Sequence, residues 1–246
     1  MIMGSKLIFL PGLTSTNGYA SQLLRNRTLP EGTVIYTNYQ TAGKGYFGNK
    51  WESEDGKNLL ISIILYPSFI KPEDQFFISM TVSLGICDFL GEFIDRCVIK
   101  WPNDIYVNND KIAGILIDSA LSGETIEYTV VGIGLNINQE KFSNSVPNPT
   151  SLNILTGKNY NITDCLNKIL ICLDKRYKQL ISGKTLSLKK EYISKLYRHN
   201  EWSQFMDING SFKGRIDTVN DDGRIVIERS DSKFSNYVFK EVEFII

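Results

Sequence analysis

The chain has 246 residues, enough to bury a real core as one large domain or as one large domain and one small one. Lys plus Arg and Asp plus Glu both number 27, so no overall field recruits nucleic acid, and a 42% hydrophobic fraction with 22% charge excludes a disordered chain. His199 is the single histidine, and a Ser-His-Asp or Cys-His catalytic group would have to use it, which argues against most hydrolase chemistry.

The run LIFLPGL after MIMGSK is too short to span a membrane and has no small-residue cleavage site. It reads as the first strand of a cytoplasmic protein. In LTSTNGYASQLLRN, Ser15 or Thr16 caps a helix whose apolar face uses Tyr19, Ala20, Leu23 and Leu24, leaving hydroxyl and amide groups at its N-terminus. The β-branched and aromatic run GTVIYTNYQ is a strand that ends at Gln40.

The stretch TNYQTAGKGYFGNKW follows. Gly43, Gly45 and Gly48 have the spacing G-x-G-x-x-G, but the next residues, NKWESEDGKN, carry no helical period, and no acid stands about 20 positions on, as a dinucleotide fingerprint requires. Nor does Gly-Lys-Ser/Thr close the loop as in a Walker A sequence. Three glycines with Lys44, Lys50, two aromatics and Trp51 suit a loop that closes over a charged ligand.

NLLISIIL is apolar throughout and is expected in the middle of a sheet, covered on both faces. From Pro72 to about 94 a helix places Phe76, Phe77, Met80, Leu84, Cys87 and Leu90 in one core stripe. Three strand-like segments come next, CVIKWP, DIYVN and KIAGILIDSAL, the last two joined by a tight turn at Asn109-Asp110. EYTVVGIGLNIN is a further strand, with Gly132 and Gly134 where side chains would obstruct close approach. SNSVPNPTSL (143–152) has loop composition.

Helices are expected from about 163 to 182 and from about 188 to 197. The remainder alternates short apolar runs with turns, five strands that suggest a small closed or nearly closed barrel. The division falls between 198 and 199. The four cysteines, Cys87, Cys97, Cys165 and Cys172, show neither CxxC pairing nor zinc spacing and are expected as thiols in a reducing compartment.

Lys100 in VIKWPND and Lys111 in KIAGIL each stand at the edge of an apolar strand, with heads that turn to solvent or face an anion. Beside Lys44, Asn103, Asp104, Asn136 and Asn138, the anion reading gains weight, since lysine supplies point charge to phosphate and Asn or Asp can hold Mg²⁺.

The strings TSTN, YQTAGKGYFGNKWES, KWPNDIYVNNDKIAGILID and VVGIGLNIN occur in the order and approximate spacing of the biotin–protein ligase family, which this chain resembles over most of residues 13 to 138. The resemblance implies an α+β fold, a mixed central sheet with helices packed on it, followed by a small SH3-like barrel. It implies a catalytic domain over 1–198 and a β-barrel domain over 199–246. The implied activity joins biotin to AMP from ATP with Mg²⁺, then transfers biotin to a lysine of a biotin carboxyl carrier protein or domain.

Carried over by motif, Ser15, Thr16, Asn17 and Gln40 resemble residues that hold the biotin head group. Gly43, Lys44, Gly45 and Tyr46 resemble the biotin and adenylate loop, and Gly114 and Lys111 belong with the biotin residues, Lys111 resembling the lysine that reaches both the carboxylate and the α-phosphate. Lys44, Trp51, Lys100, Asn103, Lys111 and Asn136 resemble the ATP side, with Lys111, Lys44 and Asp104 as catalytic groups; Asp104 is assigned to orienting or deprotonating the acceptor lysine. The family loop is often richer in arginine than Gly43 to Asn49, so no arginine role passes to Tyr46. Only about a dozen residues precede Thr14, so no N-terminal DNA-binding domain is expected, nor a DNA or membrane partner; a homodimer stays open. Two alternatives also stay open: a lipoate–protein ligase of the same fold, and a non-catalytic biotin-binding module.

Overall fold

The computed structural model describes residues 1–143 and 146–245, with the backbone alone at position 47. Of the loop expected over 143–152, Asn144 and Ser145 lie outside the described residues, as does Ile246 at the end of the expected small domain.

In chain order the elements are β1 (Lys6–Leu13), α1 (Thr16–Asn26), β2 (Thr33–Gln40), β3 (Gly43–Lys44), β4 (Lys50–Trp51), β5 (Asn58–Leu65) and α2 (Phe76–Leu90). Then come β6 (Val98–Lys100), β7 (Asp104–Val107), β8 (Asp110–Ser122), β9 (Thr125–Asn136), α3 (Leu152–Thr156), α4 (Ile162–Ile181) and α5 (Thr185–Ser194). The chain closes with β10 (Ser203–Asp207), β11 (Gly210–Val219), β12 (Ile225–Arg229), β13 (Phe234–Tyr237) and β14 (Val242–Phe244).

Seven strands form one mixed sheet in the order β1-β2-β5-β9-β8-β7-β6. Only β1 and β2 run parallel, because α1 crosses between them; every other neighbour in this sheet is antiparallel. Pro11 sits in β1, where an outer strand tolerates a missing N–H. The strand β5 is third in the sheet and buried at all eight positions, as its continuous apolar run requires.

The period of two along β5 divides the sheet into two faces. Leu59, Ile61, Ile63 and Leu65 join the main core with α2 and α4, while Ile64 packs with Ala20 of α1 in a smaller cluster. Ser62 lies on the α1 side, as its bond to Asn17 demonstrates. Helix α2 is buried nearly all round rather than along the single stripe expected, because the sheet, α4 and α5 surround it. Its first expected turn is a separate 3₁₀ turn, Pro72–Asp74.

Two local features differ from the sequence reading. In the β7–β8 hairpin Val107 pairs with Asp110, so the turn residues are Asn108 and Asn109, with Asn108 taking the left-handed conformation (φ 56°). The glycine stretch is not a bare loop, since β3 and β4 pair as a small ribbon around a 3₁₀ turn at Tyr46–Gly48.

The last five strands form a separate sheet, β13-β12-β11-β10-β14, whose core holds Phe205, Ile216, Val219, Ile225 and Ile227. The sheet contacts the rest of the chain where Trp101 Nε1 donates to Gly223 O at 2.8 Å. Gly223 (φ 89°) turns the chain between β11 and β12, and a Cβ there would stand 2.6 Å from the Phe76 ring. All four cysteines are free thiols; Cys87, Cys97 and Cys165 are buried and Cys172 half-buried.

Candidate active site

The helix α1 covers only part of its face of the sheet, and the uncovered stretch of β8 and β9 is kept flat by glycine. Gly114 and Gly134 face each other across the two strands, and the indole of Trp51 lies against both. A Cβ on Gly134 would stand 2.4 Å from Trp51 Cε2, and one on Gly114 would stand 3.0 Å from Cζ3. Gly132 does the same for Asn17: a Cβ there would come within 2.3 Å of its Oδ1. No side chain is compatible with either neighbour as placed.

These glycines floor a pocket of about 470 Å³, partly open to solvent. Ser15, Thr16, Asn17, Gln40, Lys44, Gly45, Tyr46, Trp51, Asn103, Asp104, Lys111 and Gly114 all line it, joined by Ile115, Leu116, Gly132, Ile133 and Gly134. A second pocket adjoins it, sharing Gln40, Trp51, Asp104 and Lys111 and adding Gly43, Lys100 and Asn136. Gly43 thus lines the second pocket and not the first, whereas Asn103, expected on the nucleotide side, lines the first.

One end of the first pocket is polar and bonded within itself. Ser15 caps α1, and Thr16 gives both its N–H and its hydroxyl to Gln40 Oε1, at 2.8 and 3.1 Å. Asn17 is 4% exposed; its Nδ2 donates to Asp118 Oδ2 (2.8 Å) and Leu116 O (3.2 Å), and its Oδ1 accepts from Ser62 (2.6 Å). The N-terminus of α1 adds its partial positive charge here. Ser62 and Asp118 are absent from the sequence reading, although each is a polar interruption in an apolar strand, which was the available signal.

At the border of the two pockets Lys111 Nζ pairs with Asp104 Oδ1 at 2.6 Å and stands 5.7 Å from the Trp51 ring centroid. Both ionic side chains are about three-quarters buried. The backbone of Lys111 is itself held, since its N–H donates to Asn148 O (2.6 Å) and its carbonyl accepts from Thr150 N (2.9 Å). Lys100 Nζ sits over Tyr106 and Phe244 and bonds the Tyr106 hydroxyl at 3.2 Å. Burial lowers its pKa, with Asp104 opposing.

Three buried polar atoms of residues lining these pockets have no partner: Trp51 Nε1, Ser53 Oγ and Asn136 Oδ1. Asn136 is 4% exposed and spends its Nδ2 on Thr150 O at 2.9 Å. A donor and an acceptor left unpaired at one site suit a ligand edge carrying both functions. Among the described residues no group of three or more His, Cys, Asp or Glu stands ready to hold a metal ion.

Residues 9–136, just over half of the chain, match the model of the Biotin/lipoate A/B protein ligase family. This chain belongs to that family. The Bifunctional ligase/repressor BirA of Bacillus subtilis (strain 168) is 30% identical over 238 residues, spanning 94% of this chain and 71% of that protein. The Biotin--[acetyl-CoA-carboxylase] ligase of Paracoccus denitrificans is 34% identical over 127 residues, 50% of this chain and 51% of that one. Among solved structures, the biotin protein ligase from Aquifex aeolicus in complex with biotin and ATP superposes with a TM-score of 0.80 at 25% identity, covering 97% of this chain and 98% of its own. The architecture expected of a Biotin/lipoate A/B ligase, a mixed sheet with helices and a small C-terminal β unit, is therefore present here.

Proposed function

We propose that this chain is a biotin–protein ligase that converts biotin and ATP to biotinyl-5′-AMP and pyrophosphate, then transfers biotin to a carrier lysine. The observation that carries this reading is a glycine-floored slot that ends in hydroxyl and amide groups and opens, at its other end, on the Lys111–Asp104 pair and Trp51. A ureido ring offers donors and an acceptor to such an end, whereas the dithiolane of lipoate would leave buried polar groups unpaired. The polar end thus favours biotin over the lipoate alternative.

A carboxylate is a poor electrophile until one oxygen becomes part of a phosphate leaving group. Its attack on the α-phosphorus forms the carboxyl O–P bond and breaks the bond to the β-phosphate oxygen, releasing pyrophosphate. Two anions must meet for that step, and Lys44 and Lys111, the lysines that line the acid pocket, offset their repulsion. Mg²⁺ enters this reading on the ATP phosphates and supplies further charge neutralisation. Trp51 and Asn136 are assigned to the adenine, with Lys100 at the phosphate-side wall.

In the second step the neutral carrier amine attacks the acyl carbon, AMP leaves, and the amine loses a proton. Asp104 is assigned to orienting that amine once Lys111 turns to the anions. In this reading the acceptor is a biotin carboxyl carrier protein or domain of a biotin-dependent carboxylase, the reaction is cytoplasmic, and the chain divides into a catalytic unit, 1–198, and a small unit, 199–246. No helix among the described residues is long and apolar enough to cross a membrane.

The decisive measurement is pyrophosphate release on incubation with ATP, Mg²⁺ and either biotin or lipoate, followed by biotin transfer to a carrier domain. Release with biotin is expected. Release with lipoate alone, or with neither acid, removes the proposal.

A further inference from the structure

The ligase reading gives no task to Phe239, and it leaves Tyr46 unexplained at a loop position where the family often has arginine. These two residues meet. Their rings stand edge to face, with centroids 4.9 Å apart and planes at 82°. Phe239 follows β13 in the C-terminal sheet, while Tyr46 begins the 3₁₀ turn of the glycine ribbon.

Phe239 is anchored in turn. Its ring contacts Trp101, centroid to centroid 6.1 Å, and the Trp101 indole N–H is spent on Gly223 O. The ring also packs against the main core. The ribbon, by contrast, is one strand pair held by two residue pairs, with glycine at its base and tip. Of the two partners, Phe239 is therefore the fixed one.

Tyr46 lines the acid pocket and also a solvent-open cleft of about 690 Å³ bounded by Phe76, Pro102 and Asp222, between α2 and the C-terminal sheet. With Asn103 and Ile115 it forms the partition between the acid pocket and that cleft, and of the three it is the one carried by the glycine ribbon. An acyl-adenylate that escapes reacts with water or any amine, so keeping this partition shut matters between the two steps.

We propose that Phe239 is a positioning residue that latches Tyr46, and with it the glycine ribbon, over the acyl-adenylate, so that an aromatic contact from the C-terminal sheet retains the intermediate. This rests on the ligase reading. Because the contact is apolar, its contribution to retention depends little on ionic strength, unlike that of Lys44, the exposed ribbon cation that lines the same pocket.

The test uses the full-length protein with biotin and MgATP and no carrier. The amplitude of the pyrophosphate burst reports adenylate formation. Release is followed by chase and by biotin labelling of a bystander protein, serum albumin. Phe239→Ala is expected to keep the burst and to raise release and albumin labelling about two- to tenfold, the factor one aromatic pair allows. Phe239→Tyr restores retention. Tyr46→Ala raises release similarly, and the double variant adds nothing to either single change.

The factor by which Phe239→Ala raises release over the wild type changes little between low and high salt. A Phe239→Ala protein with a full burst and wild-type release overturns the latch, as does additivity of the two substitutions. If Phe239→Ala does not fold, Tyr46→Ala against Tyr46→Phe decides: equal release from these two overturns the latch. If the wild-type protein gives no burst with biotin, it is the ligase reading that fails.

Discussion

Lys111 and Asp104 sit on adjacent strands and pair at 2.6 Å, while the lysine's own peptide is bonded on both sides to the segment 148–150. The side chain can turn from the carboxylate to an arriving anion without its backbone moving. Lys111→Ala is expected to lower the rate of pyrophosphate release at least about 100-fold, the scale of removing one preorganised charge from a developing anion. Far-UV circular dichroism should remain that of the wild type. Near-normal adenylate synthesis in this variant would remove Lys111 from the chemistry.

Asp104→Asn separates the two steps. Pyrophosphate release with biotin should persist, because asparagine still occupies the place beside Lys111. Single-turnover transfer from preformed adenylate to a carrier domain should slow by about 10²-fold or more. A variant that transfers as fast as the wild type places the acceptor amine elsewhere.

Gly134→Ala introduces a methyl 2.4 Å from the Trp51 ring, on a strand fixed by partners on both sides. The indole is the part that yields. KM for ATP is expected to rise about tenfold or more if Trp51 is moved by an ångström from its working position. The thermal midpoint should fall only slightly. Gly12→Ala in β1, where a Cβ meets nothing within 4 Å, serves as the control and should leave both unchanged.

Asn17→Ala strips the polar end of the slot and leaves Ser62 and Asp118 without their partner. KM for biotin is expected to rise by about 10- to 100-fold, as loss of hydrogen bonds in a desolvated site does. KM for ATP should move far less. Equal effects on the two substrates would show that Asn17 supports the fold rather than the acid.

The C-terminal sheet carries its own acid sensitivity. The Asp207 side chain is 4% exposed and accepts from Arg229 Nη1 (2.9 Å), the Asn209 N–H (2.8 Å) and the Tyr237 hydroxyl (2.9 Å). Arg229 above all, then the other two donors, holds its carboxyl below the usual 3.8 against the opposing effect of burial. The stability it contributes is complete above the unfolded value and is lost as pH falls through the folded one. Asp207→Asn should therefore melt below the wild type at pH 7, and the gap should close as the pH falls below about 3.8. A gap that stays constant into acid would show that the carboxylate's charge is not what matters.

Much of this arrangement is legible in the sequence where a residue type admits few uses. Gly132 and Gly134 in an otherwise β-branched strand announce close neighbours, and Asn17 and Trp51 are those neighbours. The apolar run of β5 gives its interior place directly. What is not legible depends on contacts distant in sequence. Nothing local in α2 says that helices will cover its second side, so one stripe is expected where nearly every residue is buried. Asn108 and Asp110 both suit a turn beside Asn109, and only the register chooses between them. The short β3–β4 ribbon has too few residues to impose a period. Tyr46 in its loop gives no hint of a ring that follows about 190 positions later, because aromatic pairing across units leaves no spacing to read.

The facing pair Gly114 and Gly134 also bears on how closely an aromatic ring can approach the sheet. One rung of the ladder bare of substituents forms a seat for the Trp51 indole whose depth is set by main-chain atoms, which cannot rotate aside. The height of that indole above the strands is then gauged by the sheet itself, and a single added methyl on either glycine lifts it.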